Sequence, residues 1–274
     1  MKIITLMDNI TSKIDLSCEH GLSYYIETKN HKILFDTGKT DKFLDNAFEM
    51  GVDLRQVDLC FISHGHYDHT GGLKAFLEIN TNAKVYINKN AFNDLYALRE
   101  NGIQEYIGIN KNIEIDGRFV LTEENVDVDN ELSLFMNVKK DILNPESNSS
   151  LFEKVDGKLI QDEFNHEQNL IINENGEYVV FCGCAHSGVV NIVNAFIQNY
   201  RCKPKAVAGG FHLYRYCLDP EIIEETVKKT AEYFLNSGIK YYTGHCTGIE
   251  SYRVLKSYLG NNIEYLKTGM NISI

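Results

Sequence analysis

Four side chains of the kinds that bind metal ions stand within six consecutive positions. They are His64, His66, Asp68 and His69 of the segment HGHYDH, which follows the apolar segment LCFIS (59–63). Imidazole nitrogen and carboxylate oxygen suit Zn²⁺, Fe²⁺ or Mn²⁺. The chain has nine histidines in 274 residues, so three of them in six positions is far above chance. Four donors in so short a stretch exceed what one tetrahedral ion normally takes, and the pattern therefore favours two neighbouring ions.

The elements around this cluster must bring it to the end of a strand. LCFIS (59–63) is a continuous apolar run, which predicts a buried strand that delivers a metal-binding loop. A helix is predicted before it over 42–50, where apolar residues recur at helical spacing and Gly51 ends the pattern. Gly71 and Gly72 follow the loop, and their lack of a side chain lets the backbone approach closely.

The rest of the chain alternates between strands and helices. A hairpin is predicted around Asn175 and Gly176. After it come predicted helices at about 189–200, 220–235 and 248–259, with strands at AVAGG (206–210) and KYYTG (240–244). Each half thus begins with strands and continues with strand–helix alternation, which predicts an α/β fold of two sheets packed face to face with helices outside.

We expect a single domain over residues 1–274, because no linker, low-complexity tract or repeat interrupts the chain. The segment at about 103–167 is polar, is acidic around 123–131 and lacks a clear period. It is predicted to be an insertion near the mouth of the site.

Composition restricts the classes of partner. The chain has 27 Lys and Arg against 38 Asp and Glu, a formal charge of −11, which disfavours a long nucleic acid. Its seven cysteines form no CxxC pair, so neither a disulfide framework nor a zinc ribbon is expected. No run approaches the roughly 18 apolar residues of a membrane span, and the N-terminus turns polar too soon for a signal peptide. A soluble, cytoplasmic protein is predicted, with a small molecule as its partner.

The HxHxDH loop after an apolar strand resembles the metallo-β-lactamase superfamily. The likeness extends over most of the chain, and it continues into a branch of metal-dependent hydrolases that includes dihydropterin-ribofuranosylaminobenzene 5′-phosphate synthases. The segments that carry it are EHGLSYYIE with ILFDTG, SHGHYDHTGGL, HEQNL, GCAHSGVVNIV, GGFHL and TGHCTG. The resemblance implies a four-layer αββα sandwich of two mixed β-sheets.

The same resemblance assigns roles to individual residues. It implies that His64 and His66 bind a first ion and that Asp68 and His69 bind a second. His245, in TGHC, matches the last histidine of the family pattern, a further ligand of the second ion.

One more acidic residue is implied to support the metal loop. Asp36, in FDTG, matches a buried aspartate that orients this loop through hydrogen bonds. A plain Asp-Thr-Gly turn is the alternative interpretation.

The middle of the pattern departs from the superfamily. Many members carry a bridging aspartate after a strand that ends in glycine, whereas this chain has Cys184 at that point. Cys184 could bind metal as a thiolate or be a small buried core residue. His186, two positions later, is our preferred third ligand of the first ion, and His166 is the alternative.

Further residues at the predicted rim could act on a substrate. His212, in GGFHL, could protonate a leaving group, contact a phosphate or bind metal. Asp68 could also orient the nucleophile. Glu19 and His20 are candidates for the substrate wall, and residues 214–216 (Tyr-Arg-Tyr) could hold an anionic or aromatic group.

The expected activity is hydrolysis of an ester or phosphoester-type small molecule, which can be anionic, through a metal-activated water. One or two divalent transition-metal ions are expected, with zinc favoured and iron or manganese as alternatives. Two other functions stay open. One is a synthase that joins an arylamine to a pterin methyl diphosphate, as the branch resemblance implies, and the other is an iron-binding redox or sensor protein of the same fold.

Overall fold

Two mixed β-sheets form the centre of the molecule. The computed structural model describes residues 1–99, 101–214 and 220–274, and the side chains of residues 220–223 lie outside the description. The strands of the first sheet are β1 (Lys2–Met7), β2 (Ser23–Glu27), β3 (Lys32–Phe35), β4 (Leu59–Phe61), β5 (Lys84–Asn88), β8 (Phe119–Thr122) and β18 (Asn271–Ser273). Their spatial order is β18-β1-β2-β3-β4-β5-β8, antiparallel from β18 to β3 and parallel from β3 to β8.

The second sheet has the same mixed arrangement. Its strands are β9 (Val126–Asp127), β10 (Leu132–Met136), β13 (Gln168–Glu174), β14 (Glu177–Phe181), β15 (Ala206–Gly209), β16 (Lys240–Thr243) and β17 (Ile263–Tyr265). The order is β17-β16-β15-β14-β13-β10-β9, and the pairs between β14 and β17 are parallel. The β13–β14 turn is the predicted Asn175-Gly176 hairpin, and both residues have the positive φ that a type I′ turn requires.

Helices lie on the outer faces of both sheets and, in one case, within the metal-binding segment. They are α1 (Lys42–Glu49), α2 (Tyr67–Thr70), α3 (Leu73–Ile79), α4 (Val189–Tyr200), α5 (Pro220–Ser237) and α6 (Ile249–Leu259). The predicted helices are therefore confirmed to within two residues at each end. The single turn α2 lies inside the metal-binding segment, for which the sequence predicts a loop.

Alternation along the strands builds the layers. Ile33 and Phe35 of β3 pack into the core between the two sheets, whereas Leu34 faces α1 and α3. In β15, Ala208 lies in the inter-sheet core and Val207 packs against the helices of the other side. The result is the predicted four-layer αββα sandwich.

Residues 103–167 are partly built into the large sheets, to which they contribute β8, β9 and β10. They also supply three strands of a small third sheet, of order β12-β11-β6-β7, which has its own apolar cluster. Its strands are β6 (Leu95–Leu98), β7 (Gln104–Tyr106), β11 (Leu151–Val155) and β12 (Lys158–Gln161). Within the described part of the chain, no helix is both long and apolar enough to cross a membrane.

A histidine links the two large sheets away from the metal-binding segment. His31, in the β2–β3 turn, contacts the Asp58 carboxylate through Nδ1 at 2.7 Å and the Asp129 carboxylate through Nε2 at 2.8 Å. Partial burial lowers the pKa of His31, but the two carboxylates outweigh it and raise the pKa above its ordinary value. The imidazolium can thus donate both of its N–H groups.

We predict that His31→Gln destabilises the protein more in acid than in alkali. A raised folded-state pKa gives stability that is fully present below the unfolded pKa of about 6.5 and lost as pH rises through the folded value. Because the pair is partly exposed, we expect a loss of at most about 1 kcal/mol. Urea unfolding of both proteins at about pH 5.5 and about pH 9 measures it. An equal loss at both pH values would contradict the ion-pair explanation.

Candidate metal centre

The candidate site lies where parallel strands of both sheets end. The segment after β4 supplies His64, and the segments after β14, β15 and β16 supply His186, His212 and His245. Because the carboxyl ends of parallel strands meet at one edge of a sheet, side chains that are far apart in sequence converge there. The backbone is packed so closely here that a side chain could not replace the hydrogen of Gly71, because a Cβ at that position would overlap the carbonyl oxygen of Lys39.

The first group of donors consists of His64, His66 and His186, which we call the first triad. One nitrogen from each lies within 4.8 Å of the others. The Nε2 atoms of His64 and His186 are 3.3 Å apart, and Nε2 of His66 is buried without a hydrogen-bond partner among the described residues. All three side chains are buried.

The second triad consists of Asp68, His69 and His245. Nε2 of His245 lies 3.2 Å from Nε2 of His69 and 3.2 Å from Oδ2 of Asp68. The remaining distance, from His69 Nε2 to Asp68 Oδ2, is 3.8 Å. The six donors that the sequence analysis assigned to two ions therefore fall into two compact groups.

The buried carboxylate of Asp36 determines which ring nitrogens carry protons. Its Oδ2 accepts a hydrogen bond from His69 Nδ1 at 2.6 Å and another from the Ser63 hydroxyl at 2.7 Å. Because the Ser63 hydroxyl has only one proton, its oxygen must accept from His64 Nδ1, 2.8 Å away. Nε2 of His64 therefore faces the centre without a proton, and Nδ1 of His69 holds one. The role implied for Asp36 matches this geometry, and Ser63 is an addition to it.

His186 is held by Asn148, a residue of the β10–β11 connection. The side-chain oxygen of Asn148 accepts from His186 Nδ1 at 3.0 Å, and its NH₂ group donates to the His186 carbonyl at 2.8 Å. His186 therefore also directs a proton-free Nε2 towards the centre. Asn148 gave no signal in the sequence because it lies in the segment without a clear period.

The first triad fits a transition-metal ion. Two proton-free nitrogens at 3.3 Å repel each other unless a cation lies between them. Ligand nitrogens about 2.0–2.1 Å from a tetrahedral zinc ion are about 3.3 Å apart, which matches the observed separation. Burial lowers the pKa of His64 and His186 well below its ordinary value and that of His66 to about 3, so protons cannot replace the cation here.

The second triad differs in charge. Burial lowers the pKa of His69, but the nearby carboxylates of Asp36 and Asp68 outweigh it and raise this pKa to about 9. Burial acts to raise the pKa of Asp68, yet the imidazoles of His69 and His20 hold it well below its usual range. A proton on His69 therefore balances the Asp68 carboxylate, and a divalent cation at His69 Nε2 would balance it in place of that proton.

Cys184 lies between the two triads. Its Sγ is 3.1 Å from His69 Nε2 and within 4.8 Å of a ring nitrogen of His64 and of His186. Burial raises the pKa of its thiol well above the ordinary value. The sulfur therefore lies within reach of donors of both triads, with Cys246 beside it.

His166 and Glu19 are engaged elsewhere. Nδ1 of His166 accepts from the Gly65 N–H at 3.2 Å, and its Nε2 lies 3.0 Å from the Asp162 carboxylate. With both ring nitrogens in use, the geometry favours His186 over His166 as a ligand. Glu19 accepts from the N–H groups of Lys39 and Thr40 and so fixes the approach to α1.

A cavity of about 590 Å³ opens onto both triads. His212 and His20 line it, as does Tyr214, whereas Arg215 and Tyr216 lie outside the described residues. Both ring nitrogens of His212 are buried without a hydrogen-bond partner among the described residues, and its ring centre is 4.3 Å from that of His186. His212 is therefore available to a bound molecule.

Comparisons with known proteins identify the family of this chain. The sequence profile of the metallo-beta-lactamase superfamily matches residues 16–144. An uncharacterized protein of Methanocaldococcus jannaschii is 30% identical over 275 residues, which cover 98% of each chain. The 7,8-dihydropterin-6-methyl-4-(beta-D-ribofuranosyl)-aminobenzene-5'-phosphate synthase of the same organism is 28% identical over 92% of this chain and 88% of its own.

A solved structure extends the likeness to the fold. It is that of a metal-dependent hydrolase of the beta-lactamase superfamily, with a TM-score of 0.83 and 27% identity, over 100% of this chain and 99% of that one. With its αββα sandwich and its histidine-rich edge, this chain belongs to the metallo-β-lactamase superfamily.

We predict that His186→Ala lowers metal content, whereas His166→Ala leaves it nearly unchanged. The first substitution removes one of three protein donors of the first triad, and the second removes a ring whose two nitrogens already have protein partners. Elemental analysis and zinc titration of the purified variants measure the difference. Full occupancy in His186→Ala together with depletion in His166→Ala would reverse the assignment.

We predict that Asp36→Asn weakens metal binding by about 10- to 100-fold. An amide has only one acceptor oxygen, so its NH₂ group would face either the backbone N–H of Ser63 or the donors of Ser63 and His69 that now meet Oδ2. Ser23→Ala is the matched control. It removes a buried hydrogen bond to the Asp36 carbonyl and leaves the carboxylate untouched. Competition with a zinc chelator measures both affinities. Equal losses in the two variants would show that general loosening, and not histidine orientation, is responsible.

Proposed function

We propose that this chain is a metal-dependent hydrolase that acts on an ester or phosphoester-type small molecule. The observation that carries the proposal is the convergence of two donor triads on the wall of one cavity. The triads would hold one or two divalent transition-metal ions. Five of the six donors are imidazole nitrogens, so zinc is the ion we favour, with iron or manganese as alternatives.

A divalent ion in such a site supplies Lewis acidity, which polarises a carbonyl or phosphoryl oxygen and acidifies water. The chain's own residues supply the remaining functions. The Asp68 carboxylate lines the cavity and can orient a nucleophile by accepting its hydrogen bond. His212 lines the cavity and can donate a hydrogen bond to the departing group, since both of its ring nitrogens are buried without a hydrogen-bond partner among the described residues.

The cavity supports a small substrate. Its walls combine apolar side chains, among them Ile107, Leu151 and Ile249, with the polar groups of the metal centre. A volume of about 590 Å³ lies in the range of small-molecule sites.

A synthase is the second candidate function, and the relative in Methanocaldococcus jannaschii favours it. That relative is named for the product of joining a dihydropterin-methyl group to a ribofuranosyl-aminobenzene phosphate, and the match extends over 92% of this chain. Here an arylamine would displace a diphosphate from a pterin methyl diphosphate. The two candidates differ in whether water or an amine attacks.

We expect zinc-loaded protein to hydrolyse at least one member of a panel of esters, thioesters, lactones and phosphodiesters. His66→Ala should abolish this activity together with metal binding at the first triad. His212→Ala should keep its metal and lower kcat by roughly 10²- to 10⁴-fold, the usual contribution of a proton donor.

His31→Gln is the control, because it removes a histidine remote from the cavity and should leave turnover unchanged. Product analysis with an arylamine and a pterin methyl diphosphate is run alongside. Formation of the carbon–nitrogen product without hydrolysis of any ester would replace the hydrolase by the synthase. Undiminished hydrolysis by His66→Ala would refute both.

A further inference from the structure

Asn9, just after β1, connects two histidines at the cavity wall. Its side-chain oxygen lies 2.9 Å from Nδ1 of His245, and its side-chain nitrogen lies 3.2 Å from Nδ1 of His20. The two rings are themselves close, with centres 4.8 Å apart. The orientation of one amide therefore bears on the protonation of both imidazoles.

Backbone groups determine that orientation independently of the histidines. The N–H of Gly21 points at the Asn9 side-chain oxygen at 3.2 Å, and the carbonyl oxygen of His245 lies 3.5 Å from the Asn9 NH₂ group. A backbone N–H can only donate and a carbonyl can only accept. Rotating the amide by half a turn would bring donor to donor and acceptor to acceptor, so only one orientation is favourable.

Opposite tautomers of the two histidines follow. The Asn9 oxygen can only accept, so Nδ1 of His245 carries the proton and Nε2 is free to bind a cation beside His69 and Asp68. The Asn9 NH₂ group can only donate, so Nδ1 of His20 is proton-free and Nε2 carries the proton. That Nε2 lies 3.1 Å from Oδ2 of Asp68 and donates to it.

We infer that Asn9 is a positioning residue that sets these opposite tautomers, so that His245 is a metal ligand while His20 holds Asp68 and is not a ligand. The inference rests on the proposed metal-binding function of the second triad. His20 has a ring nitrogen within 4.8 Å of donor atoms of Asp68 and His245, so distance alone does not separate it from the ligands. The proton on Nε2 of His20 separates it from the ligands, because a protonated ring nitrogen cannot bind a cation.

The first triad offers a matched comparison. Asn148 contacts His186 in the same way as Asn9 contacts His245. In each pair the side-chain oxygen of the asparagine accepts from Nδ1 of the histidine, and the NH₂ group points to the carbonyl oxygen of the same histidine. Among the described residues, no hydrogen bond joins Asn148 to His20. Removing either asparagine should therefore loosen one triad and spare the other.

The experiment records ¹⁵N–¹H correlations of the histidine rings in zinc-loaded, ¹⁵N-histidine-labelled protein. We expect the Nε2–H tautomer at His20, and at His245 a protonated Nδ1 with a zinc-shifted Nε2. Asn9→Asp keeps the acceptor for His245 but cannot donate to His20, so Nδ1 of His20 should gain a proton while His245 keeps its zinc. Asn9→Leu should weaken zinc binding at His245 by about 10- to 100-fold.

Asn148→Leu is the control, and it should weaken zinc binding at His186 while the tautomers of His20 and His245 stay unchanged. A zinc-shifted Nε2 at His20, or an unchanged tautomer of His20 in Asn9→Asp, would overturn the inference. Wild-type protein that takes up no zinc would instead overturn the proposed function. The tautomers would still be readable in that protein, so the two failures can be told apart.

Discussion

A carboxylate with no access to water, that of Asp36, organises the whole edge of the sandwich. Burying an ionised group costs several kcal/mol unless hydrogen bonds replace its hydration. Asp36 accepts from the backbone and hydroxyl of Ser63 and from His69, all at 2.6–2.7 Å. These bonds join the end of β3 to the loop after β4. They also extend to both triads, since Ser63 orients His64 and Asp36 itself orients His69.

Several residues at the same edge of the sandwich have a left-handed backbone conformation. Asp36, Ala185, His212 and His245 all have positive φ values, between 48° and 58°, although none is glycine. Left-handed backbone costs such residues about 1–2 kcal/mol each. All four follow strands of the two sheets and lie at the edge that carries the site. Strained backbone conformations in proteins tend to occur at functional sites, where the surrounding structure holds them in place. For His245, the N–H group is fixed by the carboxylate of Asp8 at 2.6 Å, a contact that helps to hold this turn.

The sequence was most informative where the chemistry is local. Four metal-binding side chains stand within six consecutive positions, so their spacing alone indicated a metal site. They are His64, His66, Asp68 and His69. Asn9 and Asn148 could not be found in this way. Each is far in sequence from the histidine that it contacts, and only the folded sheets bring the two residues together. The two large sheets were predictable from apolar runs such as LCFIS (59–63) and from the order of strands and helices along the chain. The small third sheet was not, because strands such as Gln104–Tyr106 are exposed on both faces and leave no hydrophobic period.

The division of donors between the sheets has a mechanical consequence. In the first triad, His64 and His66 come from the first sheet and His186 from the second. In the second triad, His245 of the second sheet completes a pair from the first. An ion in either triad would therefore act as a cross-link between the layers, in addition to its chemistry. Ligands that bind only the folded state stabilise it by mass action, so losing such a cross-link would let the carboxyl edge of the sandwich open before the core between the sheets does. Metal supply would then govern how long the protein survives proteases in its surroundings.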